Sequence, residues 1–155
     1  KFEKEGKFIW KPLIANIVSL KSGGEEVNIV KPGGSSGVLT MLDPSLIKAD
    51  QTAGNVLGLK DKLPETWQKF TLKPSLLKRA VGTKEELNVD PIKKLEPLML
   101  NVNSSVTVGI VDELKKGLVH VNLKIPVCCS NKDRVTISRR FGDRWRLIGY
   151  AEIVE

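Results

Sequence analysis

Residues 117–127 read GLVHVNLKIPV. Val119, Val121, Leu123, Ile125 and Val127 alternate with His120, Asn122 and Lys124. A period of two puts the two sets on opposite faces of an extended chain, which a helix of period 3.6 cannot do. The stretch is predicted to be a half-buried strand. NSSVTVGIV (103–111) reads in the same way. In RVTISRR (134–140), Val135 and Ile137 point one way and Thr136 and Ser138 the other. WRLIGYAEI (145–153) would place Trp145, Leu147, Gly149, Ala151 and Ile153 on one face. Phe141-Gly142-Asp143 lies between the last two strands, with a glycine available for positive φ, so a C-terminal β-hairpin is predicted.

The first part of the chain repeats the pattern. KFIWKPLIANIVSL (7–20), EEVNIV (25–30), GVLTML (37–42) and GNVLGL (54–59) are candidate short strands, with a turn at Ser22-Gly23-Gly24. Strands at this spacing suggest barrels rather than alternating β and α units. Helical signals are few. Asp43-Pro44 suits an N-cap followed by proline at the first helical position, for about one turn. Thr83-Lys84-Glu85-Glu86 matches a capping box, ended by Asp90-Pro91. The polar, proline-bearing segment LKDKLPETW (59–67) is the expected boundary. The predicted fold is all-β, with two consecutive small β-barrels over 1–65 and 66–155.

The composition is that of a soluble globular chain, 41% hydrophobic and 28% charged. No apolar run approaches the ~20 residues of a membrane-spanning helix, and no signal peptide is visible. Cys128 and Cys129 are adjacent, and neighbouring cysteines rarely pair with each other. They are expected as reduced thiols in a strand, which fits a cytoplasmic setting. The net charge of +7 is unevenly spread. Residues 1–65 carry 9 Lys and 8 acids, whereas residues 66–155 carry 16 basic and 10 acidic side chains. Arg134, Arg139, Arg140, Arg144 and Arg146 straddle the predicted C-terminal hairpin. Arginine makes bidentate contacts to phosphate, so these five are candidate RNA or ribosome contacts. A solvated hairpin face, partly neutralised by Asp133 and Asp143, is the competing reading.

KPGGSSGVLTMLDP (31–44) tests for a nucleotide loop. A phosphate loop needs glycine, four residues, then Gly-Lys-Ser/Thr. Here Val38 follows Gly37, where the loop would need its lysine. No βαβ unit follows either, so a turn feeding a strand is the physical reading. His120 is the only histidine, on the polar side of its strand, and no G-x-S-x-G elbow supplies a nucleophile. The carboxylates show no paired spacing. No catalytic residue, metal site or cofactor site is predicted in this chain.

VTISRRFGDRWRLIGY (135–150) resembles the C-terminal end of the γ subunit of translation initiation factor 2, archaeal and eukaryotic. The resemblance runs collinearly through KPLIANIVSL (11–20), KPGGSSGVLTMLDPSLIKAD (31–50), GNVLGL (54–59), LLKRAVGTKEELNVDPIKKLEPLMLNV (76–102) and IPVCCSNKDRV (125–135). It implies a relative of elongation factor Tu, with this chain covering the later part of domain II (1–65) and domain III (66–155). The GTPase domain, with GTP and magnesium, would lie outside the chain. The implied partners are initiator methionyl-tRNA, the α and β subunits of the same factor, and the small ribosomal subunit, without a membrane. The resemblance assigns Gly37, Val38, Thr40, Asp43 and Pro44 to contact with the aminoacyl end of tRNA. The family pattern is closer to GGLIGVGTKLDP, so Ser35, Ser36, Leu39 and Met41 depart from it. Two alternatives remain at this point. One is a stand-alone basic β-barrel RNA-binding adaptor. The other is a related elongation factor, such as the selenocysteine-specific one, against which ISRR and WRLIG argue.

Overall fold

The computed structural model describes residues 2–4, 7–9, 12–50, 52–82 and 87–154. The predicted capping box at 83–86 lies outside the described residues. The chain divides into two compact units, 1–52 and 53–155, ahead of the expected boundary at 65.

The first unit holds β1 (Phe2–Lys4), β2 (Lys7–Ile9), β3 (Ile17–Ser22), β4 (Glu25–Val27) and β5 (Ser36–Thr40). β1 and β2 pair with each other, and β4-β3-β5 form a three-stranded antiparallel sheet. The predicted strand over 7–20 is thus two strands, and 12–16 between them are not extended into a ladder. Gly23 and Gly24 make the β3–β4 turn, both with positive φ. After β5 come two short 3-10 helices, Pro44–Leu46 and Lys48–Asp50. The first is capped as its sequence requires. Asp43 accepts the Ser45 N–H, and Pro44 opens the helix.

The second unit is a closed six-stranded barrel. β6 (Thr66–Leu76), β7 (Pro97–Val102), β8 (Ser105–Lys115), β9 (Leu118–Cys128), β10 (Arg134–Phe141) and β11 (Arg144–Ile153) close in the order β10-β11-β6-β9-β8-β7. The all-β prediction and the C-terminal hairpin are both met. Closure leaves no unpaired sheet edge, which is the physical advantage of a barrel. Leu72, Leu98, Leu100, Val111, Val121, Val135, Ile137, Ile148 and Ile153 fill its interior. Thr107 is buried among them. Its hydroxyl donates to the Ile125 carbonyl at 2.7 Å and accepts the Ile125 N–H at 3.1 Å, bridging β8 to β9.

Two further sequence expectations change, and two strands carried no expectation. GNVLGL (54–59) is not a strand. Gly54 takes a φ of +79°, its carbonyl accepts the Ser105 hydroxyl, and Gly58 is folded against Leu63 in a local turn. The segment is a tether lying on the barrel. The face predicted for 145–153 is also divided. β10 and β11 shift register so that Ile137 faces Gly149 while Ser138 faces Leu147. Ile148 is the extra residue, and a one-residue bulge reverses the parity of everything before it. Ala151 and Ile153 are buried, whereas Trp145 and Leu147 are only half-buried. Finally, β6 and β7 carry no alternating pattern strong enough to predict. β6 buries Phe70, Thr71 and Leu72 in succession and contains Pro74. Pairing with β9 ends at Leu72–Val119, so Pro74 faces no partner on that side and its missing N–H breaks no ladder there.

Candidate functional site

The segment from β5 into the first 3-10 helix brings together Gly37, Val38, Thr40, Asp43 and Pro44. β5 pairs only with β3, so its other edge is open among the described residues. In register, Gly37 faces Lys21, Val38 faces Leu20 and Thr40 faces Ile17. Gly37 is not demanded by sterics, because a Cβ there would meet the Lys21 Cβ at an ordinary 3.6 Å. The conformational requirement sits earlier, at Gly33, whose φ of +122° is accessible essentially to glycine alone. The glycine run is therefore a turn feeding a strand.

Beyond β5 the backbone turns sharply. Thr40 Oγ1 accepts the Leu42 N–H at 3.3 Å, and Asp43 Oδ1 accepts the Ser45 N–H at 2.8 Å. The Ser45 backbone N–H, and then its side chain, hold the Asp43 carboxyl below its ordinary value. Asp43 thus presents an ionised carboxylate fixed by its own turn. Val38, Leu39 and Met41 are exposed along the same stretch. Of the departures from the family pattern, Ser35 precedes β5, Ser36 opens it, and Leu39 and Met41 are outward apolar groups.

The five arginines do not form one patch. Arg139 is turned inward: it forms an ion pair with Glu96 through Nε, and Nη2 reaches the other carboxylate oxygen at 3.2 Å. The same guanidinium donates to the carbonyls of Asp90 at 2.9 Å and Pro91 at 3.2 Å. Its side chain is only 12% exposed, and the fork geometry of arginine suits all four acceptors. It clamps the 90–96 loop to the barrel end. Glu96 carried no sequence signal of this role, being 43 residues from its partner. Arg140 stays on the surface and folds onto its own turn, donating to the Gly142 carbonyl at 3.0 Å and lying 3.4 Å from Asp143. Arg146 is half-buried, with its Nη1 beside Gly82, where an added Cβ would sit 3.2 Å away. Arg134 and Arg144 are exposed, and Arg134 faces Glu152 across the hairpin.

His120 is half-buried, with Nδ1 2.9 Å from the Thr71 hydroxyl directly across the sheet. Neither cysteine is disulfide-bonded among the described residues, and of the two only Cys128 lies in a strand. Cys128 closes β9 with its thiol 3.1 Å from the Pro64 carbonyl, and Cys129 is buried beyond the strand end. Burial, then the Asp133 charge and neighbouring Cys128, push the Cys129 thiol up to about 11. Burial alone raises Cys128. Such thiols are poor nucleophiles. Among the described residues no group of three or more His, Cys, Asp or Glu is placed to hold a metal, and no helix is long and apolar enough to cross a membrane.

Residues 68–153 match the family model described as initiation factor eIF2 gamma, C terminal. The chain belongs to the initiation factor 2 gamma family. It is 49% identical over 154 residues to translation initiation factor 2 subunit gamma of Pyrococcus horikoshii, covering 99% of this chain and 38% of that protein. The Methanococcus vannielii subunit is 48% identical over 145 residues, covering 94% of this chain and 35% of that protein. The chain thus spans under two fifths of the length of these relatives. Two solved structures share the fold. A bacterial selenocysteine-specific elongation factor has a TM-score of 0.64 at 18% identity, covering 91% of this chain and 21% of that one. Translation elongation factor SelB from Methanococcus maripaludis, in its apo form, has a TM-score of 0.63 at 20% identity, covering 91% and 33%. The gamma-family relatives are far closer in sequence than these elongation factors.

Proposed function

We propose that this chain is the domain II–III part of an initiation factor 2 gamma subunit, working with α and β subunits in the cytoplasm. The complete protein would bind GTP and magnesium and deliver initiator methionyl-tRNA to the small ribosomal subunit. The observation that carries this reading is collinear identity of 49% over 154 residues with a gamma subunit. A second observation supports the domain assignment. No described residue of 12–49 is buried, whereas the unit from 53 onward holds the whole core. A sheet without a buried face lacks the driving force to stand alone. It calls for a further layer, as the later part of a barrel would.

GTP does not fit the residues described here. The glycine loop has Val38 where a phosphate loop needs lysine, and among the described residues no group of three or more His, Cys, Asp or Glu is placed for magnesium. No step of hydrolysis is assigned to this chain. Its part is contact. The open edge of β5, with Gly37, Val38 and Thr40, would lie along the aminoacyl end, where backbone groups can bond a ligand without discriminating sequence. Asp43 and Pro44 would fix the turn that ends this edge. Arg134, Arg140 and Arg144 remain candidates for RNA or ribosome contact, with Arg146 nearer the barrel and Arg139 committed to Glu96.

Gly37→Ala in the full-length protein tests this reading. The strand accommodates the methyl group, so folding should be unchanged, while any close ligand is pushed away. We expect weaker protection of the methionyl ester of initiator tRNA against hydrolysis. Unchanged protection would remove β5 from the tRNA site. Calorimetry of the isolated chain should show no GTP binding, and micromolar affinity would overturn the assignment of nucleotide binding elsewhere.

A further inference from the structure

One end of the barrel is left open. Past Leu72, β6 runs on without β9, and its inward positions Pro74 and Leu76 are uncovered on that side. Leu114 faces Val119 across the β8–β9 hairpin, yet it is 43% exposed, and Leu76 is 37% exposed. Ile92, from the 90–96 loop, supplies the opposite wall. Together they line a groove of about 300 Å³, open on one side. Leu76 and Leu114 are core-type side chains in core-facing positions that nothing among the described residues fully covers, whereas Ile92 is buried.

The rim is cationic. Lys115 and Lys116, at the hairpin tip, line the groove, and Lys93 and Lys94 follow Ile92 in sequence. No ion pair is found for these four side chains among the described residues, though the Lys93 backbone N–H donates to Glu96 Oε2 at 2.8 Å. Of the nearby acids, Glu96 is held by Arg139 and Glu113 faces His120 across the sheet, leaving Asp90 and Asp112. The turn itself argues for a purpose. Lys116 and Gly117 are its two central residues, with φ of +49° and +79°. Such a turn prefers Asn-Gly, and a lysine in the left-handed region is uncommon.

We infer that this groove docks an extended segment of a protein partner, apolar at spaced positions and acidic between them. Apolar side chains would enter between Leu76, Ile92 and Leu114, and carboxylates would meet the flanking lysines. An open trough fits a chain better than a small molecule, which is usually enclosed on most sides. Apolar anchors would supply the affinity, and the charges would supply register and on-rate. Arg139 is a positioning residue here, because it holds the loop that carries Ile92.

The test is selection of a displayed library of random peptides on the whole chain, followed by fluorescence anisotropy of the selected peptides. The expected consensus combines Leu or Phe with Asp or Glu. Leu114→Ser and Lys115→Glu should each weaken binding about tenfold. Lys116→Asn suits the turn better than lysine, so it should not lower the melting temperature, yet it should still weaken binding. That variant decides the matter if Leu114→Ser folds poorly. Basic or charge-free consensus sequences, no selected binders, or binding unchanged by Lys116→Asn would each overturn the proposal. So would a short single-stranded RNA that binds the chain and displaces the selected peptides, with loss of that binding in Lys115→Glu, because the lysines would then serve phosphate.

Discussion

Replacing Arg139 by alanine should destabilise the barrel rather than cost it a ligand. The guanidinium serves both oxygens of Glu96 and the carbonyls of Asp90 and Pro91. Removing one member of a buried ion pair costs roughly 3–5 kcal/mol, because the other charge stays behind. Side-chain exposures of 12% and 15% allow water to recover part of this, so we expect ~3 kcal/mol. For a barrel of this size that corresponds to a fall in melting temperature of about 12–20 °C. Arg140, whose partner Asp143 is 99% exposed, should cost less than ~0.5 kcal/mol when changed to alanine. Urea unfolding followed by tryptophan fluorescence reads both, since Trp67 and Trp145 lie on β6 and β11. A cycle of Arg139→Ala, Glu96→Ala and the double variant should give a coupling of ~2 kcal/mol. Arg139→Lys should recover less than half the loss, because an ammonium cannot reproduce the planar fork. A loss below ~1 kcal/mol for Arg139→Ala, or a coupling near zero, would refute the clamp.

Other predictions follow from single contacts. Gly149→Ala should lower the melting temperature by about 10 °C, since its Cβ would lie 2.5 Å from the Ser75 carbonyl oxygen, between two paired strands. Thr107→Val should cost ~1–3 kcal/mol in urea unfolding, because it leaves the Ile125 N–H and carbonyl without their buried partner. Cys129 gives an alkaline signature. The unfolded thiol ionises near 9.0 and the folded one near about 11, so the folded state holds its proton longer. Stability is full below pH 9 and falls as pH rises toward 11, by at most ~2.7 kcal/mol. Cys129→Ala should flatten that slope in a pH series of urea midpoints, and an unchanged slope would refute it.

Much of the barrel was legible because β8 to β11 alternate with a period of two, although in β8 the buried set is Thr107, Gly109 and Val111 while the apolar Val106 and Ile110 face outward. β6 and β7 were not legible. Three successive buried residues in β6 break the pattern, and Pro74 and Pro97 look like strand breakers. They are tolerated because Pro97 opens its strand and Pro74 lies past the last β6–β9 pair. GNVLGL shows the converse. Its alternation is adequate, but Gly54 and Gly58 turn it into a tether that pairs with no strand.

The candidate site divides along the same line. That Asp43-Pro44 caps a short helix could be read locally, because a cap involves residues two apart. That Val38 and Thr40 lie on an open strand edge could not, because an edge is defined by which strands are absent beside it. The arginines make the point most sharply. Sequence determines that five guanidinium groups flank one hairpin, and it determines their charge. Only the tertiary structure decides that Arg139 faces Glu96 across 43 residues while Arg134, Arg140 and Arg144 face water. The reason is geometric. Local spacing sets which residues share a strand face, but the bulge at Ile148 and the closure of six strands set what each face meets.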